Sequence, residues 1–97
     1  MAKYYLTNKA VEDLSEIWDY TIETWSEMQA EKYYDLLLTS CADLANNPEL
    51  GRNYNIITAG ILGFKSGEHI IFYSIISNSE IEVVRILHGM MDLKSKL

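Results

Sequence analysis

The sequence predicts an α+β fold of order β-α-α-β-β-β, with a helical hairpin packed on one face of a mostly antiparallel sheet. Three observations carry that expectation. Two successive stretches repeat their apolar residues every three or four positions, the period of a helix with one buried side, and almost nothing separates them. After a patternless loop come three strand-like apolar runs, divided by short turns rich in Ser, Gly and Asn. The chain of 97 residues suffices for one two-layer core, so residues 1–97 are expected to form a single domain.

Tyr4-Tyr5-Leu6-Thr7 opens the chain with strand-favouring residues. A helix then starts at Thr7 or Asn8, whose side chains accept hydrogen bonds from first-turn amides that lack an intrahelical partner. Its apolar stripe reads Val11, Leu14, Ile17, Trp18, Ile22 and Trp25, with Glu12, Asp13, Ser15, Glu16, Asp19 and Glu23 opposite. Ser26-x-x-Gln29 has the form of a capping box and opens a second helix. The inner face of that helix reads Ala30, Tyr33, Tyr34, Leu37, Leu38, Cys41, Leu44 and Ala45. Asn46-Asn47 should end it, because Pro48 disfavours helical geometry in the residue before it.

Residues 48–60 show no period and read as a loop long enough to suspect a role. Strands are expected over residues 60–65, 69–76 and 80–87, with turns at Ser66-Gly67 and Ser77-Asn78-Ser79. The last two strands are apolar at both parities. Ile70, Phe72 and Ile76 oppose Ile71, Tyr73 and Ile75; Ile81, Val83 and Leu87 oppose Val84 and Ile86. Such a sheet needs a layer on each face, and the hairpin supplies one. A partner's amphipathic helix or extended tail is the natural second, and the chain alone is expected to be sticky. Residues 91–97 read as a short helix or a frayed tail.

Fourteen acidic against 8 basic residues give a formal charge of −6, and the excess is uneven. Residues 1–50 hold ten acids against three lysines; residues 51–97 hold four acids against five bases. Nonspecific nucleic-acid affinity comes from neutralising phosphates, and an acidic chain with only Arg52 and Arg85 for arginines supplies little of that. Direct nucleic-acid binding by this chain alone is therefore not expected. Cys41 is the only cysteine, which excludes an intrachain disulfide and a thiolate metal site. Glu68-His69 is a dipeptide rather than a ligand set, and the scattered glycines form no phosphate cradle, so neither metal nor cofactor is expected. The N-terminus lacks the apolar core of a signal peptide, and residues 70–76 are too short to cross a bilayer. A cytoplasmic protein with no membrane partner is expected.

Several strings occur in order along nearly the whole chain. They are Ala10-x-x-Asp13-Leu14, Trp25-x-x-x-Gln29-Ala30, Leu44-Ala45-x-x-Pro48, Gly51-Arg52, His69-Ile70-Ile71-Phe72-Tyr73 and Arg85-Ile86-Leu87-His88-x-x-Met91-Asp92. Together they resemble the ParE branch of the RelE/ParE superfamily of bacterial toxins. Ser26 stands where that family commonly has glycine after the tryptophan, and its hydroxyl supplies the helix cap. The resemblance implies a RelE/ParE-like fold and the toxin half of a type II toxin–antitoxin system, serving plasmid or chromosome stability. ParE-like members inhibit DNA gyrase by binding it and trapping DNA breaks, without catalysing a reaction. RelE- and YoeB-like members cut messenger RNA in the ribosome. Both are silenced by an antitoxin whose tail wraps the toxin, which implies for this chain a ParD-like partner and gyrase as target.

The residues bear on which branch applies. A ribonuclease that uses the ribose hydroxyl needs a base, an acid and cations for the phosphorane. In YoeB-like nucleases the central strand resembles Glu-His-Arg-Leu-Val-Tyr, whereas Glu68-His69-Ile70-Ile71-Phe72-Tyr73 puts isoleucine where that arginine stands. Arg85 and His88, three apart, point to opposite faces of a regular strand unless a bulge or the strand end intervenes. The expected catalytic set is therefore none; on the nuclease alternative it is Glu68, Arg85 and His88. Arg85 reads either as paired with Glu68 or Glu82, or as partner-binding. His69 and His88 read as hydrogen-bonded structural residues, and Trp18 as core. The acidic outer face of the first helix reads as solvated surface, or as a face for a basic enzyme. Partner binding is expected at Trp25, Arg52, Phe72, Tyr73, Arg85, His88, Met90 and Met91. A third class is a degenerate, non-toxic subunit that only completes an antitoxin–DNA complex.

Overall fold

Thr7 sets both the start and the rotation of the first helix. Its hydroxyl accepts from the Ala10 amide at 3.1 Å and donates to the Val84 carbonyl at 2.8 Å, while its own amide bonds the Val83 carbonyl at 3.1 Å. Helix α1 (Asn8–Thr24) is thereby capped and tied to the sheet at one point. The computed structural model describes residues 2–89; the expectations for Met90, Met91 and residues 91–97 lie outside them. Ser26 caps α2 (Glu27–Asn46) in the same way, accepting from the Gln29 amide at 3.1 Å, and α2 stops at Asn47 before Pro48 as expected.

The strands are β1 (Lys3–Leu6), β2 (Arg52–Asn53), β3 (Leu62–Ser66), β4 (His69–Ser77) and β5 (Glu80–His88), in the spatial order β1-β5-β4-β3-β2. β1 runs parallel to β5, and every other pairing is antiparallel. Both helices pack on one face, so the expected α+β architecture holds, with two additions in the loop: a 3-10 turn at Pro48–Leu50 and the two-residue β2. Leu37, Cys41 and Leu44 of α2 meet Ile71, Tyr73, Ile81, Val83 and Ile86 of the sheet with almost no exposure.

Three sequence expectations need correction. The α1 stripe is rotated: Ala10, Asp13, Leu14 and Thr21 are buried, while Val11, Ile22 and Trp25 are exposed. The Thr7 tether fixes that rotation. The two polar residues it turns inward are satisfied, Thr21 through the Ile17 carbonyl at 2.7 Å and Asp13 through β5. The β5 parity also breaks. Tyr73 pairs with Val83 and Phe72 with Arg85, so Val84 is bulged out and Ile86, rather than Leu87, joins Ile81 and Val83 under the helices.

The far face of the sheet, thirdly, is covered in part by the chain's own loop, while Ile75 and Ile76 near the end of β4 stay half-exposed. Ile61 and Tyr54 pack with Ile70, Phe72, Val84 and Leu87, and the Tyr54 ring meets Phe72 edge-on at 5.2 Å between centroids. The Tyr73 hydroxyl anchors the start of that loop from the helix side, donating to the Pro48 carbonyl and accepting from the Gly51 amide. Gly51 is required there because a Cβ would collide with the Tyr73 hydroxyl.

Candidate functional site

Where β4 begins and β5 ends, His69 and His88 are register partners with ring centroids 5.4 Å apart. Tyr33 of α2 reaches them from the helix layer. Its hydroxyl lies 2.6 Å from His69 Nδ1 and accepts from the Glu68 amide at 2.9 Å. The tautomer of His69 sets which of the two groups donates in that short contact. Burial holds the His69 imidazole below its ordinary value, and the neighbouring His88 pushes the same way. The tight turn before β4 makes room for the tyrosine. Gly67 has φ +60°, and a Cβ there would sit 2.6 Å from Tyr33 Cε1.

A groove of about 420 Å³ opens beside this cluster, walled by Tyr20 and Trp25 of α1 and its C-terminus, Gln29 and Tyr33 of α2, and Glu68, His69 and His88 of the sheet. Tyr20, His69 and His88 also line a second cavity of about 420 Å³, together with Asp13, Glu16 and Arg85, so the two cavities adjoin at these side chains and make up one depressed region of the surface.

In the second cavity Asp13 does three jobs. It takes Arg85 Nε at 2.8 Å and Nη2 at 2.9 Å in a bidentate pair, and it accepts the Ile86 amide at 3.0 Å. β1 ends its pairing with β5 at Val83, so Asp13 and Thr7 take up backbone groups that a longer strand would have paired. The hydrogen bonds that Arg85 donates to Asp13 raise its guanidinium above the ordinary value.

The expected site residues divide accordingly. Trp25, Glu68 and His88 line the first cavity, and Arg85 and His88 the second. Arg52 is exposed on the far edge strand, β2, away from this depression. Phe72 and Tyr73 are 0% exposed, so neither presents a side chain to a partner; Phe72 is core under the loop and Tyr73 is the loop's anchor. Arg85 pairs with Asp13 rather than with Glu68 or Glu82. The bulge lies before Arg85 and β5 runs on to His88, so strand geometry does not bring those two to one face; the open edge of β5, beyond the end of β1, does. Asp13, Tyr20 and Tyr33 were missed as site residues. Tyr33 had its inward direction in the α2 stripe, but the residue it would meet, 36 positions away, left no local signal.

Cys41 is buried beneath α2, and burial pushes its thiol up to about 12, which suits packing rather than nucleophilic chemistry. Among the described residues no three His, Cys, Asp or Glu side chains converge as a metal-binding group, and no helix is long and apolar enough to cross a membrane.

Comparisons with known proteins bear on the family and the fold. Toxin ParE1 of Mycobacterium tuberculosis is 36% identical over 96 residues, spanning 99% of this chain and 98% of the relative. Toxin ParE1 of Caulobacter vibrioides is 31% identical over 97 residues, spanning 100% of this chain and 99% of the relative. Among solved structures, a chain of the chromosomal ParDE toxin–antitoxin system from P. aeruginosa superposes with a TM-score of 0.77 at 19% identity, covering 91% of this chain and 96% of that one. A chain of the RelBE2 toxin–antitoxin complex from Mycobacterium tuberculosis gives 0.69 at 17% identity, covering 90% and 96%. Two helices on a mixed five-stranded sheet are thus the toxin fold of the ParE and RelE structures. The profile described as ParE toxin of type II toxin-antitoxin system, parDE, matches residues 4–93, and the chain belongs to that family.

Proposed function

We propose that residues 1–97 act as one toxin domain that binds DNA gyrase and traps cleaved DNA, performs no chemistry itself, and is neutralised in the cytoplasm by a ParD-like antitoxin. The observation that carries this reading is the match to the parDE toxin family along residues 4–93. A ParDE system among the structural relatives supports an antitoxin of that kind. The local chemistry supports a non-enzymatic role. Ile70 replaces the strand cation of the nuclease branch, and Arg85 is engaged by Asp13. The partner-facing candidates that remain are Trp25, Arg85 and His88 around the depression and Arg52 on its edge strand, with Met90 and Met91 following Gly89 in sequence.

The test is a gyrase cleavage assay. Supercoiled plasmid, gyrase and ATP are incubated with the folded chain and then treated with detergent and protease. Linear DNA that appears with this chain and disappears on adding antitoxin is the expected result; unchanged supercoiling with no linear product would overturn the reading. One observation favours a second reading, an mRNA endonuclease: His69, Arg85 and His88 line a common cavity. That reading requires ribosome-dependent RNA cleavage by this chain which His88→Ala abolishes without loss of fold. A silent subunit would show neither activity and no toxicity on expression.

A further inference from the structure

We propose that the groove between Tyr20, Trp25 and Glu68 is a receptor for an arginine side chain presented by a protein partner. The inference rests on reading this depression as a partner-binding surface, but not on which protein the partner is.

The first observation is aromatic exposure. Trp25 is 72% and Tyr20 64% exposed, yet both line the same groove, whose other walls include the rings of Tyr33, His69 and His88. Flat π surfaces grouped around one space attract a cation over their negative faces, most strongly over an indole. The second observation is charge. The acidic side chains lining the two adjoining cavities are Glu68, Asp13 and Glu16, and the arginine lining the second, Arg85, is already held by both oxygens of Asp13. Glu23 and Glu27 flank Trp25 in sequence and are exposed. The depression therefore offers a negative field and uncovered rings together, and its carboxylates would repel a phosphate.

The volume and shape favour a single side chain. About 420 Å³ lies within the roughly 300–1,000 Å³ range of small-ligand pockets. A planar guanidinium can stack on the indole while its fork of N–H donors meets the Glu68 carboxylate and the Gln29 amide oxygen. A lysine ammonium satisfies the charge but neither the stacking nor the fork. Because Trp25 and Glu68 are exposed, the groove requires no rearrangement of the core to fill.

The probe is N-acetyl-arginine amide, titrated into the full chain while the indole N–H resonances are followed by NMR. Trp18 serves as an internal reference because it lines a separate cavity beside Leu6 and Tyr34. Saturable movement of the Trp25 and His88 signals is expected, with Trp18 unmoved. The neutral isostere N-acetyl-citrulline amide should bind about tenfold more weakly. Glu68→Gln should weaken arginine binding several-fold, and Trp25→Ala should abolish it; both residues are exposed, so the fold is kept. Equal responses to arginine and citrulline would overturn the proposal, as would no Trp25 response. A stronger response to adenosine monophosphate than to arginine would assign the groove to a nucleobase and also overturn it. A Trp25 resonance that shifts on Lys94→Ala or Lys96→Ala with no probe added would assign it to the chain's own C-terminal segment, with the same consequence. Failure here leaves the gyrase assay unaffected, and failure there leaves this titration unaffected.

Discussion

Asp13 shows how much one side chain can hold. It sits on the first helix at 6% exposure and satisfies Arg85 twice and the Ile86 amide once. Asp13→Ala removes two hydrogen bonds from the Arg85 guanidinium and the acceptor of the Ile86 amide, and should cost about 3 kcal/mol of stability, read as a lowered urea midpoint with unchanged slope. Asp13→Asn, which keeps an acceptor oxygen but loses the charge, should cost less. His69 makes a different prediction. Its imidazole is held below the ordinary value of 6.5, chiefly by burial, so the unfolded chain binds the proton more readily than the folded one. Its contribution is complete above 6.5 and declines as the pH falls through the window beneath that value. Chemical denaturation across that range should show stability rising with pH, with a flatter dependence in His69→Asn.

At the scale of elements, the caps and breaks were legible and the docking was not. Thr7, Ser26-x-x-Gln29 and Asn46-Asn47-Pro48 bound both helices through rules that reach three or four residues. The strand runs and their turns were equally local. What failed depends on contacts between distant residues: the rotation of α1, set by Thr7 against Val83 and Val84; the bulge at Val84; and the pairing of β2 with β3. The loop at residues 48–60 has no period to show which of its side chains turn inward, yet Tyr54 and the adjoining Ile61 pack it on the far face of the sheet. Part of the candidate site was legible through Trp25, Glu68, Arg85 and His88, while Asp13 was read as solvent-facing. Tyr73 couples that loop to the core, so Tyr73→Phe should leave the Gly51 amide without its acceptor and lower stability by about 1–2 kcal/mol. Amide exchange at Gly51 and Tyr54 should accelerate more than exchange in β5.

For the whole molecule, the consequence of a sheet ordered β1-β5-β4-β3-β2 lies in time. The ribosome makes the amphipathic hairpin at residues 8–46 early, but the strands that accept its apolar side are not finished until residue 88. Until then the nascent chain carries a bare greasy flank, and β1 waits for Glu80 to Val83 to emerge. Pulsed hydrogen exchange during refolding should accordingly protect the amides of β1 after those of α2. The groove needs Tyr33 from the second helix, His69 from the middle of the sheet and His88 from its last strand. A ribosome translating residues 8–87 therefore carries a polypeptide in which this groove has no complete wall, and the depression exists only once His88 has been made and β5 has paired with β4.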